Sequence, residues 1–459
     1  MAVELRGYQK QAVNAFQKNH YRGIFDMATG TGKTYTSIAC AQEYYVEHGK
    51  QLLVILVPFI HLITQWKENL LENGIVVDVE VAYGKDKWNA KLSRMIWEYQ
   101  HGFRKRLVII GSYRSTGGKK SQFAKILKRA EHDNSFLLAD ECHYLGSKNS
   151  NPALFSDFNA RLGLSATPKR WWDEKGTSKI YRLFDKEIFS FSLEEAINQG
   201  FLTEYSYHPV PVKLSIDETT RYIKLSEKIG KLMVLKQKNN GSSVDEDLQN
   251  LLIKRSRIIE KADAKEAKFL QIFKSQNPDH SLVYCAPGDI NKFTYDVALE
   301  GVSVSEFKAE VSYPNREKML QDFSRGKIQT LTAMKCLDEG VDVPATRVAF
   351  FLASTTNPRQ FIQRRGRILR KSPGKKQAEV YDFIVIPDKN EMDEGMAKSL
   401  VKREIPRFHE FAEYANNKYE ARELIRPILA EFALDSYLDK SSWDVYQEMM
   451  EEENEQFTS

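Results

Sequence analysis

Residues 26–34 read Asp26-Met-Ala-Thr-Gly-Thr-Gly-Lys-Thr34. The run before and into them, Gly23-Ile-Phe-Asp-Met27, has the apolar character of a strand. The run after them, Tyr35 to Tyr45, repeats Ile38, Ala41 and Tyr45 at helical spacing. Strand, glycine-rich turn and helix is the context that makes a phosphate cradle. Thr29, Gly30, Thr31 and Gly32 form the turn, and the two glycines let the backbone curl until amides point at phosphate oxygens. Lys33 adds a cation for the β- and γ-phosphates, and Thr34 offers a hydroxyl to Mg²⁺.

A second stretch, Leu137-Leu-Ala-Asp-Glu-Cys-His143, ends another apolar run. Asp140 then emerges at a strand tip, where a carboxylate can hold Mg²⁺, and Glu141 can orient or deprotonate an attacking water. Either stretch alone also reads as a glycine-rich turn or an acidic loop. Both in one chain, in this order, point to nucleoside triphosphate hydrolysis.

The bounds set by composition agree. A chain of 459 residues exceeds one ordinary core, so two or three domains are expected. Hydrophobic content of 42% and charged content of 28% describe a soluble globular protein. No apolar run is long enough for a bilayer, and Met1 to Gln11 has no apolar secretory core, so a cytoplasmic location is expected. Cys40, Cys142, Cys285 and Cys336 lack metal-ligand spacing and read as free thiols. The net charge of +5 permits nucleic-acid binding through a local groove without demanding it.

Short apolar runs separated by amphipathic stretches divide into two series. The first comprises Gly23 to Met27, Leu52 to Pro58, Leu107 to Ser112, Phe136 to Asp140 and Arg161 to Thr167. The second comprises Ser281 to Ala286, Val302 to Lys308, Gln329 to Met334, Val348 to Ala353 and Glu379 to Ile386. Each suits a parallel sheet covered by helices on both faces, an α/β architecture. Only the first carries a phosphate loop. Thr177 to Gly200 reads as a connector with a helix around Leu193, Ala196 and Ile197. Leu214 to Lys274 reads as helical, broken by the polar Asn239-Asn-Gly-Ser-Ser243, a candidate mobile tip. It is either a packing insert or an arm that guides nucleic acid. After Pro387 the chain turns charged and helical and ends in a Glu-rich, solvated tail at residues 451 to 455. The expected domains are 1–200, a connector strand and helical insert at 201–275, a second α/β domain at 276–387, and a helical C-terminal extension at 388–459.

Four further segments bear on chemistry. Leu5-Arg-Gly-Tyr-Gln9 fits an adenine reader, since Gln9 offers donor and acceptor together and Arg6 can stack on the base. It fits an amphipathic helix start equally well. Leu164-Ser-Ala-Thr-Pro168 places Ser165 and Thr167 where they can link the acidic pair to the second half, or simply precede a helix. Gln360-Phe-Ile-Gln-Arg-Arg-Gly-Arg-Ile-Leu-Arg370 sets Arg364, Arg367 and Arg370 three apart, on one helical face. Such guanidinium groups can reach a γ-phosphate as arginine fingers or bind a nucleic-acid backbone. In Cys336-Leu-Asp-Glu-Gly-Val-Asp-Val-Pro344, Gly340 allows a tight approach and Asp342 a contact with nucleotide or Arg.

The order of these elements over roughly residues 3 to 386 resembles helicase superfamily 2. Met27 to Thr34 resembles motif I, Val57 to Trp66 motif Ia, Ile110 to Tyr113 motif Ib, Ala139 to His143 motif II and Leu164 to Pro168 motif III. Ser281 to Ala286 resembles motif IV, Lys335 to Pro344 motif V and Gln360 to Arg370 motif VI. Within the superfamily the opening, the DECH box and the Gln363-Arg364-x-Gly366-Arg367 form are most similar to restriction motor subunits and excision-repair helicases. The RNA-unwinding DEAD-box group fits less well. Met27 stands where a small residue is common. The resemblance implies two tandem RecA-like domains with ATP in the cleft between them, Mg²⁺ as cofactor, and nucleic acid gripped through its phosphates. The matching contact positions are Pro58, Gln65, Ser112 and Tyr113, then Thr332, Lys335 and Cys336. Arg114, Lys119 and Lys120 add a basic loop that reads equally as solvated surface. The expected activity is ATP-dependent DNA translocation or unwinding, with RNA-stimulated ATPase or an ATP-gated clamp as alternatives. A separate nuclease or other effector subunit of a restriction, repair or anti-phage defence system is the partner this implies.

Overall fold

The computed structural model describes residues 4–82, 88–117, 121–130, 132–147, 150–170, 173–238, 242–276, 278–308, 311–334, 343–353, 358–445 and 447–449. The chain divides into two compact units, Met1–Leu202 and Thr203–Ser459.

The first unit is built on a seven-stranded sheet: β1 (Arg22–Met27), β2 (Gln51–Val57), β3 (Val79–Val81), β4 (Arg106–Ser112), β5 (Ser135–Ala139), β6 (Ala160–Ser165) and β7 (Glu187–Phe191). Every pairing is parallel, in the order β3-β4-β2-β5-β6-β1-β7. Parallel strands need crossover connections, supplied here by helices such as Lys33–His48, Ile60–Glu72 and Trp88–Gln100. The central strands β2, β5 and β6 are buried along their whole length, which is why they read as continuous apolar runs. The helix after the phosphate loop buries Ile38, Ala41 and Tyr44, not Tyr45. Tyr45 instead lies under the Arg106 guanidinium, 4.6 Å from its ring centre.

The second unit carries a six-stranded parallel sheet in the order β10-β11-β9-β12-β13-β8. Its strands are β8 (Glu204–Lys213), β9 (Ser281–Tyr284), β10 (Val304–Phe307), β11 (Thr330–Ala333), β12 (Val348–Phe351) and β13 (Gln377–Ile386). The connector strand expected after residue 200 is therefore an edge of this sheet, in register with β13 from Glu204 opposite Gln377 to Lys213 opposite Ile386. The helices Ile216–Lys238 and Ser242–Glu260 form the insert, with 239–241 of the expected mobile tip outside the described residues.

The charged C-terminal extension is helical and packed. Helix Glu394–Ala412 buries Ile405, Phe408 and Phe411, and helix Lys418–Glu431 buries Ile425 and Leu429. The Glu-rich 451–455 lie outside the described residues. The extension is pinned by a buried ionic cluster. The Arg407 Nε donates to both Asp382 oxygens at 2.9 and 2.8 Å, and its Nη2 donates to Glu404 at 3.0 Å. The Tyr207 hydroxyl donates to the same Asp382 at 3.0 Å. Removing one partner strands a buried charge, so Asp382→Ala should destabilise the second unit by about 3–5 kcal/mol. The expected readout is a lowered urea midpoint for the transition of that unit.

Candidate active site

Functional side chains collect at the carboxyl ends of the first sheet, where open parallel sheets place their ligands. The strand order sets β6 directly between β1 and β5. The phosphate loop after β1, Ser165 at the end of β6 and Asp140-Glu141 after β5 are thus brought together, although they are far apart along the chain.

In the loop, Gly30 has φ +90° and Gly32 φ +86°, both left-handed. A Cβ at Gly32 would also stand 2.8 Å from the Gln9 amide nitrogen. Gly32 is the N-cap of helix Lys33–His48 and brings no side chain to cap it. The first-turn amides are left for an anion, and the helix dipole favours one there. Thr31 is fully buried, and its hydroxyl donates to the Ala28 carbonyl at 2.7 Å, so it holds the loop. The Thr29 hydroxyl is buried with no hydrogen-bond partner among the described residues. Such an orphan is costly in the protein alone and suits a phosphate oxygen. The Lys33 ammonium folds back onto the Met27 carbonyl at 3.0 Å.

The opening segment reaches the same loop. Gln9 lies on helix Gly7–Lys18 and is buried. Its oxygen accepts from the Arg6 amide at 2.9 Å, and its nitrogen donates to the Gly32 carbonyl at 3.4 Å. The helix-start reading of this segment is therefore realised, and the Gln9 side chain bonds the helix start and the loop. Arg6 lies over the Phe201 ring, 4.6 Å from its centre, and donates to the Tyr8 oxygen at 3.2 Å. The Tyr8 hydroxyl donates in turn to the Thr31 carbonyl, and its ring stacks on Phe191 at 4.0 Å. Tyr8, Phe191 and Phe201 form an aromatic floor beside the loop that the sequence reading missed. Tyr8 stood within the quoted segment, whereas nothing local marks the other two.

Asp140 and Glu141 are separated in role by their surroundings. Asp140 accepts the Trp66 indole N–H at 2.9 Å, a partner that was also missed. Burial, then the neighbouring Glu141 charge, pushes its carboxyl up to about 6, against the pull of Trp66 and Lys33. Burial likewise lifts Asp26, on β1, to about 6, and the Lys33 charge opposes that shift too. Lys33 is thus set among carboxylates that respond to its charge. The Thr34 hydroxyl has no partner among the described residues. A Thr hydroxyl and one carboxylate are what Mg²⁺ takes from a protein when phosphate oxygens and water complete its shell, and Thr34 with Asp140 fit that donor set.

Glu141 has φ +48° and ψ +56°, a left-handed conformation that a non-glycine residue adopts at a cost. The Ser165 hydroxyl donates to its Oε2 at 3.4 Å, and the His143 Nδ1 lies 3.3 Å from the same oxygen. Ser165 also accepts the Thr167 amide at 3.1 Å. Ser165 thus contacts the acidic pair, which is the first-unit end of the link expected of this segment.

The expected nucleic-acid positions fare differently. Pro58 is buried at the tip of β2, Gln65 is half-buried on helix Ile60–Glu72, and Arg114 is exposed. Ser112 is buried, and its oxygen accepts the Ser115 amide at 3.2 Å to cap helix Tyr113–Thr116. Tyr113 is buried too, its hydroxyl donating to the Asp140 carbonyl at 2.7 Å. These two side chains are spent inside the unit, which leaves their backbone for a ligand. Thr332 is fully buried in β11, 2.6 Å from the Thr294 hydroxyl, and is likewise an interior residue. Lys119, Lys120, Lys335, Cys336, Gly340 and Asp342 lie outside the described residues.

In the second unit the arginine segment forms helix Pro358–Ile368. The shared face of Arg364, Arg367 and Arg370 does not hold. The helix stops at Ile368, so Arg370 lies beyond it. Lys375 closes that end, donating to the carbonyls of Ile368, Arg370 (3.0 Å) and Pro344 (3.3 Å). Arg364 is buried, donating to the Ala353 carbonyl at 2.9 Å with its guanidinium over the Tyr284 ring. Arg365 turns to Glu410. Arg367 is also mostly buried, at 8% exposure.

Comparison with known proteins places both units. Residues 2–170 match the family described as "Type III restriction enzyme, res subunit", and residues 264–372 match "Helicase conserved C-terminal domain". A protein of Sulfurisphaera tokodaii described as "DNA 3'-5' translocase XPB2" is 28% identical over 80% of this chain and 79% of its own length. The "DNA 3'-5' helicase XPB" of Kineococcus radiotolerans is 23% identical over 83% of this chain and 59% of its own. Among solved structures, the "ATP-dependent Type ISP restriction-modification enzyme LlaBIII bound to DNA" aligns with a TM-score of 0.61 at 17% identity, covering 91% of this chain and 31% of that one. The helicase domain of Pyrococcus furiosus Hef aligns with a TM-score of 0.52 at 16% identity, covering 83% and 95%. Two tandem parallel-sheet domains, matched in order by a restriction-enzyme motor family and a helicase C-terminal family, make this chain a member of helicase superfamily 2, related to the motors of restriction and repair enzymes.

Proposed function

We propose that this chain is an ATP-driven motor that moves along DNA. The observation that carries the reading is the convergence of the phosphate loop, Ser165 and the Asp140-Glu141 pair on adjacent strand tips β1, β6 and β5. The loop amides and Lys33 hold the triphosphate, and Gln9 and Arg6 border the loop on the side of the base. Thr34 and Asp140 would hold Mg²⁺, which when bound would offset the negative charge of the phosphates. Glu141 orients and deprotonates the attacking water. Arg367 is assigned the compensating charge at the γ-phosphate, while Arg370, outside the helix, is assigned nucleotide contact only. Gly340 and Asp342 remain assigned to the nucleotide by resemblance, as Lys335 is to nucleic acid. Pro58, Gln65, Arg114 and the backbone at Ser112-Tyr113 grip DNA through its phosphates, independently of sequence.

The test is steady-state ATPase activity against single-stranded, duplex and forked DNA and RNA. DNA should stimulate the rate, and no response to any nucleic acid would remove the motor reading. Stimulation by RNA alone would reassign the substrate. A narrower prediction concerns Ser165. Ser165→Ala should slow stimulated hydrolysis about two- to tenfold with nucleotide affinity unchanged, the loss of one ordinary hydrogen bond to Glu141.

Three described cysteines, Cys40, Cys142 and Cys285, are buried and form no disulfide among the described residues, which suits a reducing cytoplasm. No helix among the described residues is long and apolar enough to cross a membrane. A separate nuclease or other effector is the partner proposed by kinship with restriction motors. Affinity purification of the tagged chain from its native cells should recover one.

A further inference from the structure

The second unit holds a cavity of about 330 Å³ that none of the motifs accounts for. Its walls come from the insert helices Ile216–Lys238 and Ser242–Glu260 and from helix Glu394–Ala412. Tyr222, Leu252, Ile259 and Leu400 make the apolar part of the lining. Two arginines, Arg255 and Arg403, line it as well.

Their condition is unusual. Arg255 is 9% exposed, yet its Nη2 is buried with no hydrogen-bond partner among the described residues, and the Arg403 Nε is in the same state. The interior bonds of Arg255 are a 3.2 Å contact to the Ser226 hydroxyl and a guanidinium–ring approach to Tyr222 at 5.6 Å. No carboxylate lies within ion-pair distance of either arginine among the described residues. Burial lowers the Arg255 pKa, and the like charge of Arg403 lowers it further. Arg407, on the same helix as Arg403, shows the contrast, since two carboxylates meet it. Glu404 and Glu260 also border the cavity, but Glu404 is committed to Arg407 and to the Val385 amide, and Glu260 accepts from Ser256. Two like charges with unspent buried donors lining one partly open pocket suit an anion.

We propose that this cavity binds a small phosphorylated molecule, with its phosphoryl oxygens on Arg255 and Arg403 and its body against Tyr222, Leu252 and Leu400. Bridging guanidinium forks suit phosphoryl geometry, and a pocket of this size with an apolar wall and few polar groups suits a metabolite rather than a polymer. Because the walls belong to three helices, occupancy ties the insert hairpin to the C-terminal extension. The site would thereby act as a control point distinct from the phosphate loop.

The test uses the full chain carrying Lys33→Ala, which weakens the phosphate loop, and measures calorimetric binding and the melting temperature with pyrophosphate and with AMP. At least one should bind at about one per chain and raise the melting temperature; tighter binding of AMP would identify a nucleotide, of pyrophosphate a bare phosphate. Arg403→Met should weaken binding at least about tenfold, as expected for a charge-assisted contact. Its ligand-free melting temperature should not fall, because a like-charge repulsion has been removed. Leu400→Trp, which fills the cavity and leaves both charges, should abolish binding. Absence of binding in the Lys33→Ala chain, or binding unchanged by both cavity variants, would overturn the proposal. Neither outcome touches the motor reading, whose readout is DNA-stimulated hydrolysis.

Discussion

Glu141→Gln should hydrolyse ATP at least about 10²-fold more slowly than the parent chain while still binding nucleotide and DNA. A general base contributes about 10²–10⁴ to rate, and the amide removes the base without changing its shape. The surroundings support a clean substitution. Ser165 can still donate to the amide oxygen at the position it now reaches at 3.4 Å. The left-handed backbone at residue 141 costs the same for Gln as for Glu. One electrostatic change is expected. The Glu141 charge now helps hold the Asp140 carboxyl near 6, so its removal favours ionised Asp140 and a firmer hold on Mg²⁺. Nucleotide affinity should therefore stay level or rise while turnover collapses. Stimulated hydrolysis and binding of a fluorescent ATP analogue, measured on the same preparation, decide the matter. A variant within threefold of the parent rate would assign the base elsewhere.

What the sequence disclosed depended on how each element is buried. Strands β2, β5 and β6 are covered on both faces, so their apolar runs stood out, and the residues at their tips could be named in advance. Strand β3 spans only Val79–Val81, too short to show a period. Strand β8 contains Pro209 and Pro211, which argue against a strand until it is seen to pair with β13 alone. An edge strand tolerates proline because one row of its amides needs no partner. The site divided the same way. Loop and carboxylate chemistry was legible because it is local. Trp66, Phe191 and Phe201 were not, since they reach the site through the fold. Ser112, Tyr113 and Thr332 show the converse case, since their side chains are buried where the sequence left them open. A small or hydroxylated residue at a strand tip looks available, but only the packing around it reveals that it faces inward.

Arg367→Ala should abolish DNA-stimulated hydrolysis, by about 10³–10⁵ as for other arginine fingers, while nucleotide binding falls far less. The structure narrows the choice of arginine. Arg364 and Arg365 spend their guanidinium groups on the Ala353 carbonyl and on Glu410, and Arg370 lies past the end of the helix. Arg367 is the position that the Gln363-Arg364-x-Gly366-Arg367 pattern itself proposes for the finger. Its burial, at 8% exposure, raises the competing account that it merely supports the second unit. The two accounts part on stability and on charge. A supporting residue lost to Ala lowers the melting temperature of that unit in step with activity, whereas a transition-state contact leaves it in place. Arg367→Lys keeps a positive charge but not the planar fork, so a finger recovers only a fraction of the lost rate. If binding and hydrolysis fall together by the same factor, Arg367 acts on the ground state, and the compensating charge must come from another residue.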